Sequence, residues 1–243
     1  MQVYKEIPVI TNQARQRTAE MVGIVSVEEE WTVACHRERV QEAVGSLPEE
    51  QPFVLDAGTG MYLNFIVLKI PLAPKVPREI RAEAERLVAE AENARRETRE
   101  KELALAGTPE RGSIWVGELR YDSSFLYLRP PKGELDRNIK VRSESIVRDS
   151  KREVRRLIDS GVVPNRSVRE AIGVKEMLLY ASSKLSQEQA IESISSRTRR
   201  LARRQIRWFD KLSRSLPEET DVLVAEKPSE MRYMHLMHDN IWA

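Results

Sequence analysis

The chain has 243 residues, of which 41% are hydrophobic and 32% are charged. This composition is typical of a globular protein with a charge-rich surface, and it excludes disordered and collagen-like chains. The single cysteine, Cys35, cannot form an internal disulfide, which excludes a disulfide-rich secreted scaffold. No apolar run reaches the ~20 residues of a membrane helix, and the N-terminus lacks the pattern of a signal peptide. We therefore expect a cytoplasmic protein without membrane contact.

The net charge of +2 conceals an uneven distribution along the chain. Residues 131–215 carry 21 Lys and Arg against 11 Asp and Glu, while the remainder carries 19 against 27. Positive charge concentrated in one segment indicates an anionic partner. A solvated helical face, balanced by acidic residues elsewhere in the fold, would produce the same pattern. Arginine predominates in this segment, and because arginine forks onto phosphate and stacks on bases, the pattern favours nucleic acid.

The first half of the chain alternates short apolar segments with helical patterns. Its β-branched start predicts an extended segment over residues 1–10, and apolar spacing predicts a helix over 29–46. The apolar residues 53–55 predict a buried strand, followed by the turn Gly58-Thr59-Gly60 and a helix over 61–68. A strand, a glycine turn and a helix in this order are typical of α/β folds, in which ligands bind at such turns.

The remainder of the chain, from about residue 71 onward, is predicted to be mainly helical. A proline-rich linker precedes a long charged helix over 78–105, whose thin apolar stripe predicts that it protrudes. Short strands are predicted at 113–116, 125–128 and 221–225. Apolar periodicity predicts helices over 135–160, 167–181 and 186–212, the last of which begins with a capping box at Ser186 and Gln189.

The glycine turn at residues 58–60 is the first candidate site. Its backbone N–H groups can approach an anion at a helix N-terminus, and the Thr59 hydroxyl adds a further donor. A tight turn with a purely structural purpose uses the same residue types, and on this motif alone that interpretation is favoured.

Six arginines between residues 197 and 207 form the second candidate site. If this segment is helical, Arg200, Arg204 and Arg207 share one face, while Leu201 and Trp208 fall on the opposite, apolar side. A helix that packs through one side and is basic on the other can follow the phosphates of a nucleic acid. A surface helix neutralised by acidic neighbours is the alternative interpretation.

Four segments carry the most distinctive residues: 1–4, 57–62, 172–176 and 198–209. In this order they resemble the tRNA dimethylallyltransferases, also called tRNA isopentenyltransferases. The corresponding family motifs are Asp-Ser-x-Gln-Val-Tyr, Gly-Gly-Thr-Gly-Leu-Tyr, Ile-Gly-Tyr-Lys-Glu and Thr-Arg-x-x-Ala-Lys-Arg-Gln-x-Thr-Trp-Phe. The departures from them are Ala57, Met61, Val174, Arg203 and Arg207. The resemblance covers most of the chain, and the last motif is the most specific.

The resemblance implies both an activity and a fold. The family transfers a dimethylallyl group from dimethylallyl diphosphate to the exocyclic amine of an adenine beside the tRNA anticodon, after the base is flipped into a channel. It implies Mg²⁺ as cofactor, and a prenyl diphosphate and the tRNA anticodon stem-loop as partners. The implied fold is α/β, with a P-loop-kinase-like parallel-sheet core, a helical insertion and a C-terminal helical tRNA-binding arm.

The same resemblance implies two groups of site residues. Gly58, Thr59 and Gly60 hold the diphosphate, with Thr59 as the catalytic residue, and Arg111 is a further diphosphate contact in a poorly matched Asp-Pro-x-Arg motif. The predicted tRNA contacts combine motif residues with the basic helical face: Gln2, Tyr4, Lys175, Arg200, Arg203, Arg204, Gln205 and Arg207. Trp208 and Tyr62 are expected to be packing residues. No protein metal ligands are predicted, since His235 and His238 have no cysteine near them.

Two parts of the family pattern do not occur in this sequence. It has no Gly-x-x-x-x-Gly-Lys-Ser/Thr motif, and the family's general-base Asp would lie before Met1. The first strand and the P-loop are therefore expected to be missing, either because the chain is a fragment or mis-started, or because it is a divergent member without catalysis. In a third hypothesis the glycine turn binds a nucleotide or prenyl diphosphate without tRNA, and the missing P-loop argues against it.

We expect residues 1–74 and 131–243 to form the α/β core with its helical RNA-binding part. Residues 75–130 are expected to form a charged helical insertion. The leading functional prediction is tRNA dimethylallyl transfer, and the alternative is an inactive family member or fragment that binds RNA.

Overall fold

Helices predominate in the structure, a computed structural model that describes residues 1–14, 19–49, 51–74, 76–88, 94–107 and 112–227. The helices are α1 (Val33–Gly45), α2 (Gly60–Val67), α3 (Arg78–Leu87), α4 (Ala94–Leu105), α5 (Lys132–Asp149), α6 (Lys151–Asp159), α7 (Arg166–Arg169), α8 (Val174–Ala181) and α9 (Gln187–Ser215). The strands are β1 (Phe125–Leu128) and β2 (Val222–Ala225). Across these described ranges, no helix combines the length and apolarity needed to cross a bilayer.

The N-terminal segment lies in the larger of two hydrophobic clusters formed by the described residues. Its apolar side chains pack against the core faces of α5, α6, α8 and α9. The carboxylate of Glu153 accepts the backbone N–H groups of Val9 and Ile10, at 2.6 and 3.1 Å. The Arg142 guanidinium donates to the carbonyl groups of the same two residues. At Val9 and Ile10 these side chains take the place of backbone partners, whereas residues 2–5 form backbone hydrogen bonds with residues 23–25.

Helix α2 is the centre of the second hydrophobic cluster. Four consecutive residues, 64–67, are buried in it, and the cluster continues through Leu68 and Ile70 to Val40 of α1. A helix that is apolar on nearly all sides is stable only when it is surrounded by protein. Because the rest of α2 is buried, its N-terminus and the glycine turn are held in a fixed position at the protein surface.

The parallel sheet is smaller than the sequence predicts. Strands β1 and β2 pair in parallel, with Phe125 opposite Val222, and confirm the strands expected near 125–128 and 221–225. The strands predicted at 53–55 and 113–116 were wrong, since neither segment pairs with another in the described part of the chain. The segment over residues 1–10, predicted to be extended, consists mostly of turns and makes one isolated bridge, between Tyr4 and Val25. An apolar stretch forms a strand only where a neighbour can accept its backbone hydrogen bonds.

Two of the predicted C-terminal helices are each divided in two. The helix expected over 135–160 is interrupted at Ser150, whose hydroxyl donates to the Ile146 carbonyl at 2.6 Å, a back-bond that bends helices. The helix expected over 167–181 is interrupted at Gly173, whose φ of +91° is outside the helical region. The capping box at the start of α9 is confirmed by hydrogen bonds between Ser186 and Gln189.

The charged segment over 78–105 forms the two packed helices α3 and α4 rather than one long helix. Ala84 and Leu103 are buried between them. The buried carboxylate of Glu102 lies 2.7 Å from the Arg99 guanidinium and 3.6 Å from that of Arg81. Pairing the two helices buries an apolar stripe that a single helix would expose. The domain boundaries at 75 and 130 stay predictions.

Candidate functional site

The glycine turn lies at the N-terminus of α2, as predicted. Thr59 is the N-cap residue, with extended backbone angles and no capping hydrogen bond from its side chain. Gly58 and Thr59 are exposed, whereas Gly60 is buried. Because the first N–H groups of a helix have no partner within it, and because the helix dipole is positive there, the turn suits an anionic group.

Helix α9 packs directly onto this turn. The Gln205 side-chain amide donates to the Gly58 carbonyl, with 2.6 Å between nitrogen and oxygen. One turn further along α9, the Trp208 indole lies so close to Gly60 that an added Cβ would come within 2.1 Å of Trp208 Cδ1. Only glycine fits at position 60. The second and fourth motif segments are therefore parts of one contact.

A buried asparagine, which the sequence analysis missed, stabilises the same contact. Asn64 has no exposed surface. Its Oδ1 accepts the Trp208 indole N–H at 3.1 Å, and its Nδ2 donates to the Ile114 carbonyl at 2.8 Å. The Trp115 ring lies against Trp208, with 4.6 Å between the ring centroids. The only sequence signal was a polar residue within an otherwise apolar helix. Trp208 packs against its neighbours as expected.

Two of the six arginines between residues 197 and 207 of α9 have acidic partners. The Arg197 guanidinium lies 2.6 Å from the carboxylate of Glu176, which is buried. The Arg199 guanidinium lies 3.7 Å from the carboxylates of both Asp136 and Glu192. These arginines are thus engaged within the protein.

The other four arginines are exposed and form no ion pair with any described residue: Arg200, Arg203, Arg204 and Arg207. The pKa of Asp136 is held below its ordinary value mainly by a hydrogen bond from Lys132 and its charge, and to a smaller extent by the charges of Arg199 and Arg203. Leu201 was predicted on the apolar side but is 37% exposed. Ala202 is buried instead. Because successive residues of a helix are rotated by about 100°, Leu201 points away from the core when Ala202 points into it.

The segment over 172–176 is held tightly at the start of α8. The Gly173 backbone N–H donates to the Glu176 carboxylate at 2.8 Å. Lys175, a predicted tRNA contact, is exposed and lies 2.7 Å from the Glu170 carboxylate. An RNA phosphate would have to compete with this exposed pair, so the contact from Lys175 stays a prediction.

The two N-terminal candidates, Gln2 and Tyr4, are engaged in local hydrogen bonds. The Gln2 side chain donates to the carbonyl groups of Thr11 and Asn12, at 3.0 and 2.8 Å. Tyr4 is buried, and its hydroxyl donates to the Glu29 carbonyl at 3.3 Å. These bonds support the path of the N-terminal segment, and RNA contacts from either residue stay predictions.

An aromatic group lies next to the glycine turn. The Tyr62 hydroxyl donates to the Trp31 carbonyl at 3.2 Å, and the Trp31 indole N–H donates to His36 Nδ1 at 3.0 Å. Burial lowers the pKa of His36 from its ordinary value, so its imidazole is neutral near pH 7. Tyr62 is a packing residue, as expected.

Three residues that the sequence analysis considered lie outside the described residues: Arg111, His235 and His238. Among the described residues, no group of three or more His, Cys, Asp or Glu side chains could hold a metal ion. Magnesium in proteins usually keeps several waters and is bound by one or two carboxylates together with substrate phosphates, so the Mg²⁺ cofactor stays a prediction.

The geometry places an exposed helix N-terminus, a feature suited to an anion, beside a helix face with four exposed arginines, a feature suited to a polyanion. A family model described as IPP transferase matches residues 2–108 and 90–212. The tRNA dimethylallyltransferase of Rubrobacter xylanophilus is 53% identical over 249 aligned positions, which cover 100% of this chain and 85% of that protein. The chain belongs to the IPP transferase family, which confirms the resemblance.

More distant relatives agree with this assignment. The tRNA dimethylallyltransferase of Ehrlichia chaffeensis is 26% identical over 86% of this chain and 79% of its own length. The crystal structure of the full-length tRNA isopentenylpyrophosphate transferase from Bacillus halodurans matches with a TM-score of 0.69 and 20% identity, over 99% of this chain and 85% of that one. The corresponding Staphylococcus epidermidis structure matches with a TM-score of 0.67 and 18% identity, over 98% and 87%. These structures show that the fold is shared.

Proposed function

We propose that this chain transfers a dimethylallyl group from dimethylallyl diphosphate to the exocyclic amine of the adenine next to the tRNA anticodon. The observation that carries the proposal is the hydrogen bond between Gln205 and Gly58. It joins a turn suited to a diphosphate to a helix that also carries four exposed arginines with no acidic partner among the described residues. Either feature alone suits many ligands, whereas both on one surface suit a reaction between a diphosphate and an RNA. The names of the relatives support the same substrates.

In the proposed reaction, the adenine amine nitrogen forms a bond to the first carbon of the dimethylallyl group. The bond between that carbon and the diphosphate oxygen breaks, diphosphate leaves with the electron pair, and the amine loses a proton. Negative charge develops on the leaving oxygen. Donors already aimed at that oxygen lower the barrier, because they need no reorganisation during the reaction.

We assign the diphosphate to the turn at residues 58–60, with the Thr59 hydroxyl as the catalytic donor. Thr59 is exposed, and its hydroxyl does not cap α2. The family resemblance assigns the released proton to an Asp ahead of Gln2, and no described side chain is given that role. Arg111 belongs to the same proposal as a further diphosphate contact, and Mg²⁺ as the cation that would accompany the diphosphate.

We assign the RNA to the exposed side of α9. Arg200, Arg203, Arg204 and Arg207 would contact phosphates, and Lys175, Gln2, Tyr4 and Gln205 belong to the same proposed interface. Each phosphate contact releases counterions, so the affinity should fall steeply with salt. The wider P-loop-kinase-like sheet and a cytoplasmic location, where tRNA is found, complete the proposal.

The direct test is a prenyl-transfer assay with the purified full chain. It contains an unmodified anticodon stem-loop RNA, dimethylallyl diphosphate and Mg²⁺, and the mass of the RNA is followed while RNA binding is measured in parallel. A mass increase of one dimethylallyl group, located on the adenine beside the anticodon, supports the proposal. RNA binding without transfer supports the alternative of an RNA-binding module, and absence of both contradicts the proposal.

Position 59 allows a matched pair of variants in the same assay. Thr59→Val keeps the shape and removes the hydroxyl, and Thr59→Ser keeps the hydroxyl. We expect Thr59→Val to lower kcat about 100-fold, as for other donors to a developing oxyanion, with RNA affinity unchanged. Thr59→Ser should retain most activity. Equal activity of the two variants would contradict a catalytic role for the hydroxyl.

A further inference from the structure

One side of α9 carries a line of exposed cations that ends on an aromatic ring. Arg200, Arg204, Arg207 and Lys211 are spaced by four, three and four residues, which places them on one helical face. All four are exposed. The Lys211 ammonium lies 4.2 Å from the centroid of the Trp115 ring. The basic face and Trp115 therefore form one continuous surface, which we name the α9–Trp115 surface.

Trp115 differs from the other tryptophans that the structure describes. The indole N–H groups of Trp31 and Trp208 donate to His36 and Asn64. The Trp115 indole N–H has no partner among the described residues, and the side chain is only half-buried. Its neighbour Val116 is 73% exposed. Trp115 is thus a large ring placed at the surface without a hydrogen bond that would explain its position there.

The Trp115 ring is nevertheless held in a defined orientation. It lies against Trp208, with ring centroids 4.6 Å apart and ring planes at 42°. The preceding carbonyl, that of Ile114, is fixed by the buried Asn64. A ring that is already ordered loses little conformational entropy when a ligand stacks on it. An exposed lysine over such a ring is a hydrated, flexible group that a planar ligand can displace.

We propose that Trp115 is a stacking platform for an unpaired base of the RNA whose phosphates follow the cations of α9. Basic tracks with aromatic rings along them are the common design of single-strand RNA sites, since every base has a face that can stack. This inference rests on the proposed function in one respect, namely that the ligand is RNA. It adds a contact from the loop between α4 and β1, which none of the four motif segments contains.

Stacking and ion pairing differ in their dependence on salt, and this difference provides the test. Binding of an anticodon stem-loop RNA and of a fully paired duplex of the same length is measured with the full chain at several salt concentrations. Trp115→Leu keeps an apolar side chain without a ring, Trp115→Phe keeps a ring, and Val116→Ala is a control for the exposed loop.

We expect Trp115→Leu to weaken binding of the stem-loop about tenfold at every salt concentration, with the salt slope and duplex binding unchanged. Trp115→Phe and Val116→Ala should remain within about threefold of the unaltered chain. Equal stem-loop binding by Trp115→Leu, or an equal loss for stem-loop and duplex, overturns the stacking platform. In either case, prenyl transfer by the unaltered chain reports separately on the proposed function.

A second measurement needs no substitution, and so does not depend on the variants folding. Stem-loop RNAs with 5-iodouridine at each loop position in turn are irradiated in complex with the unaltered protein, because this base crosslinks to aromatic rings in contact with it. A crosslinked peptide that contains Trp115 supports the platform. Crosslinks that form only at other residues overturn it.

Discussion

The two halves of α9, divided here between Arg199 and Arg200, place the same residue type in opposite environments. In the first half, Arg197 is 24% exposed and its guanidinium contacts the Glu176 carboxylate, which is 2% exposed. The same guanidinium donates to the Glu170 carbonyl, and Ser193 donates to Glu176 at 3.1 Å. In the second half, Arg204 and Arg207 face solvent and have no acidic partner among the described residues.

This difference shows what distinguishes a structural arginine from a ligand-binding one. If an arginine leaves a buried carboxylate, the carboxylate remains as an unpaired buried charge, and the stability of the folded protein falls. A solvent-facing arginine loses only hydration and counterions when it meets a phosphate. The first half of α9 therefore anchors the helix to α8, and the second half remains available to an anion. The variants below test this division, beginning with the largest expected effect.

The structural half is tested by Arg197→Met. We expect a loss of about 2–4 kcal/mol in the free energy of unfolding, measured by urea denaturation, because the buried Glu176 carboxylate would lose its cationic partner. Arg200→Met, on the exposed side, should change stability by no more than about 0.5 kcal/mol. Adding Glu176→Gln to Arg197→Met should restore part of the loss. If the double variant is no more stable than Arg197→Met, the cost does not come from the unpaired charge.

The junction between α2 and α9 is tested by Gly60→Ala. The added methyl group would collide with the Trp208 ring, so we expect a loss of about 2–3 kcal/mol in unfolding free energy and weaker prenyl transfer. Gly45→Ala is the matched control, since a Cβ at the end of α1 meets nothing within 4 Å. Its stability should be unchanged or slightly higher. Equal stabilities of the two variants would contradict a tight junction.

The half that we propose to bind RNA is tested by the double variant Arg203→Gln and Arg204→Gln. We expect weaker RNA binding and a salt slope that is flatter by about 1.4, from two lost phosphate contacts at ~0.7 each. The unfolding free energy should change by less than about 1 kcal/mol. Arg39→Gln in α1, which removes an exposed arginine paired with Glu42, should alter neither property of RNA binding. An unchanged slope in the double variant would exclude these arginines from the interface.

The smallest expected effect concerns Glu153, a carboxylate of α6 outside both halves of the comparison. Burial raises its pKa above 4.5, and hydrogen bonds from Val9 and Ile10 oppose this shift. Since the folded protein holds the proton more tightly than the unfolded chain, the associated stability is complete below pH 4.5 and is lost as the pH rises through the folded-state pKa.

Glu153→Gln stays neutral and removes this pH dependence. The stability advantage of the unaltered chain over Glu153→Gln should therefore shrink as the pH rises from 4 to 7, measured by urea denaturation at each pH. An advantage that grows over this range would show that the hydrogen bonds outweigh burial.

The sequence predicted the positions of the motif segments more reliably than the secondary structure of the residues around them. The glycine turn is at the N-terminus of a helix, and the capping box starts α9, because both depend on neighbouring residues alone. The strands predicted at 53–55 and 113–116 were wrong, because a strand depends on a partner that is distant in sequence. The segment 78–105 forms two helices rather than the expected single helix, because packing α3 against α4 buries the thin apolar stripe.

The sequence by itself determined the family, the presence of a turn suited to an anion, and the excess of arginine over residues 131–215. Residue types at fixed spacing carry this information, and no distant contact is needed to read it. Only the tertiary structure decided which arginines are available, because availability depends on whether a carboxylate from another element, such as Glu176, lies within reach. It also brought Gln205 to the glycine turn and joined Asn64 to Ile114 and Trp208. Those contacts join segments separated by 50 to 147 residues, and packing between helices creates them.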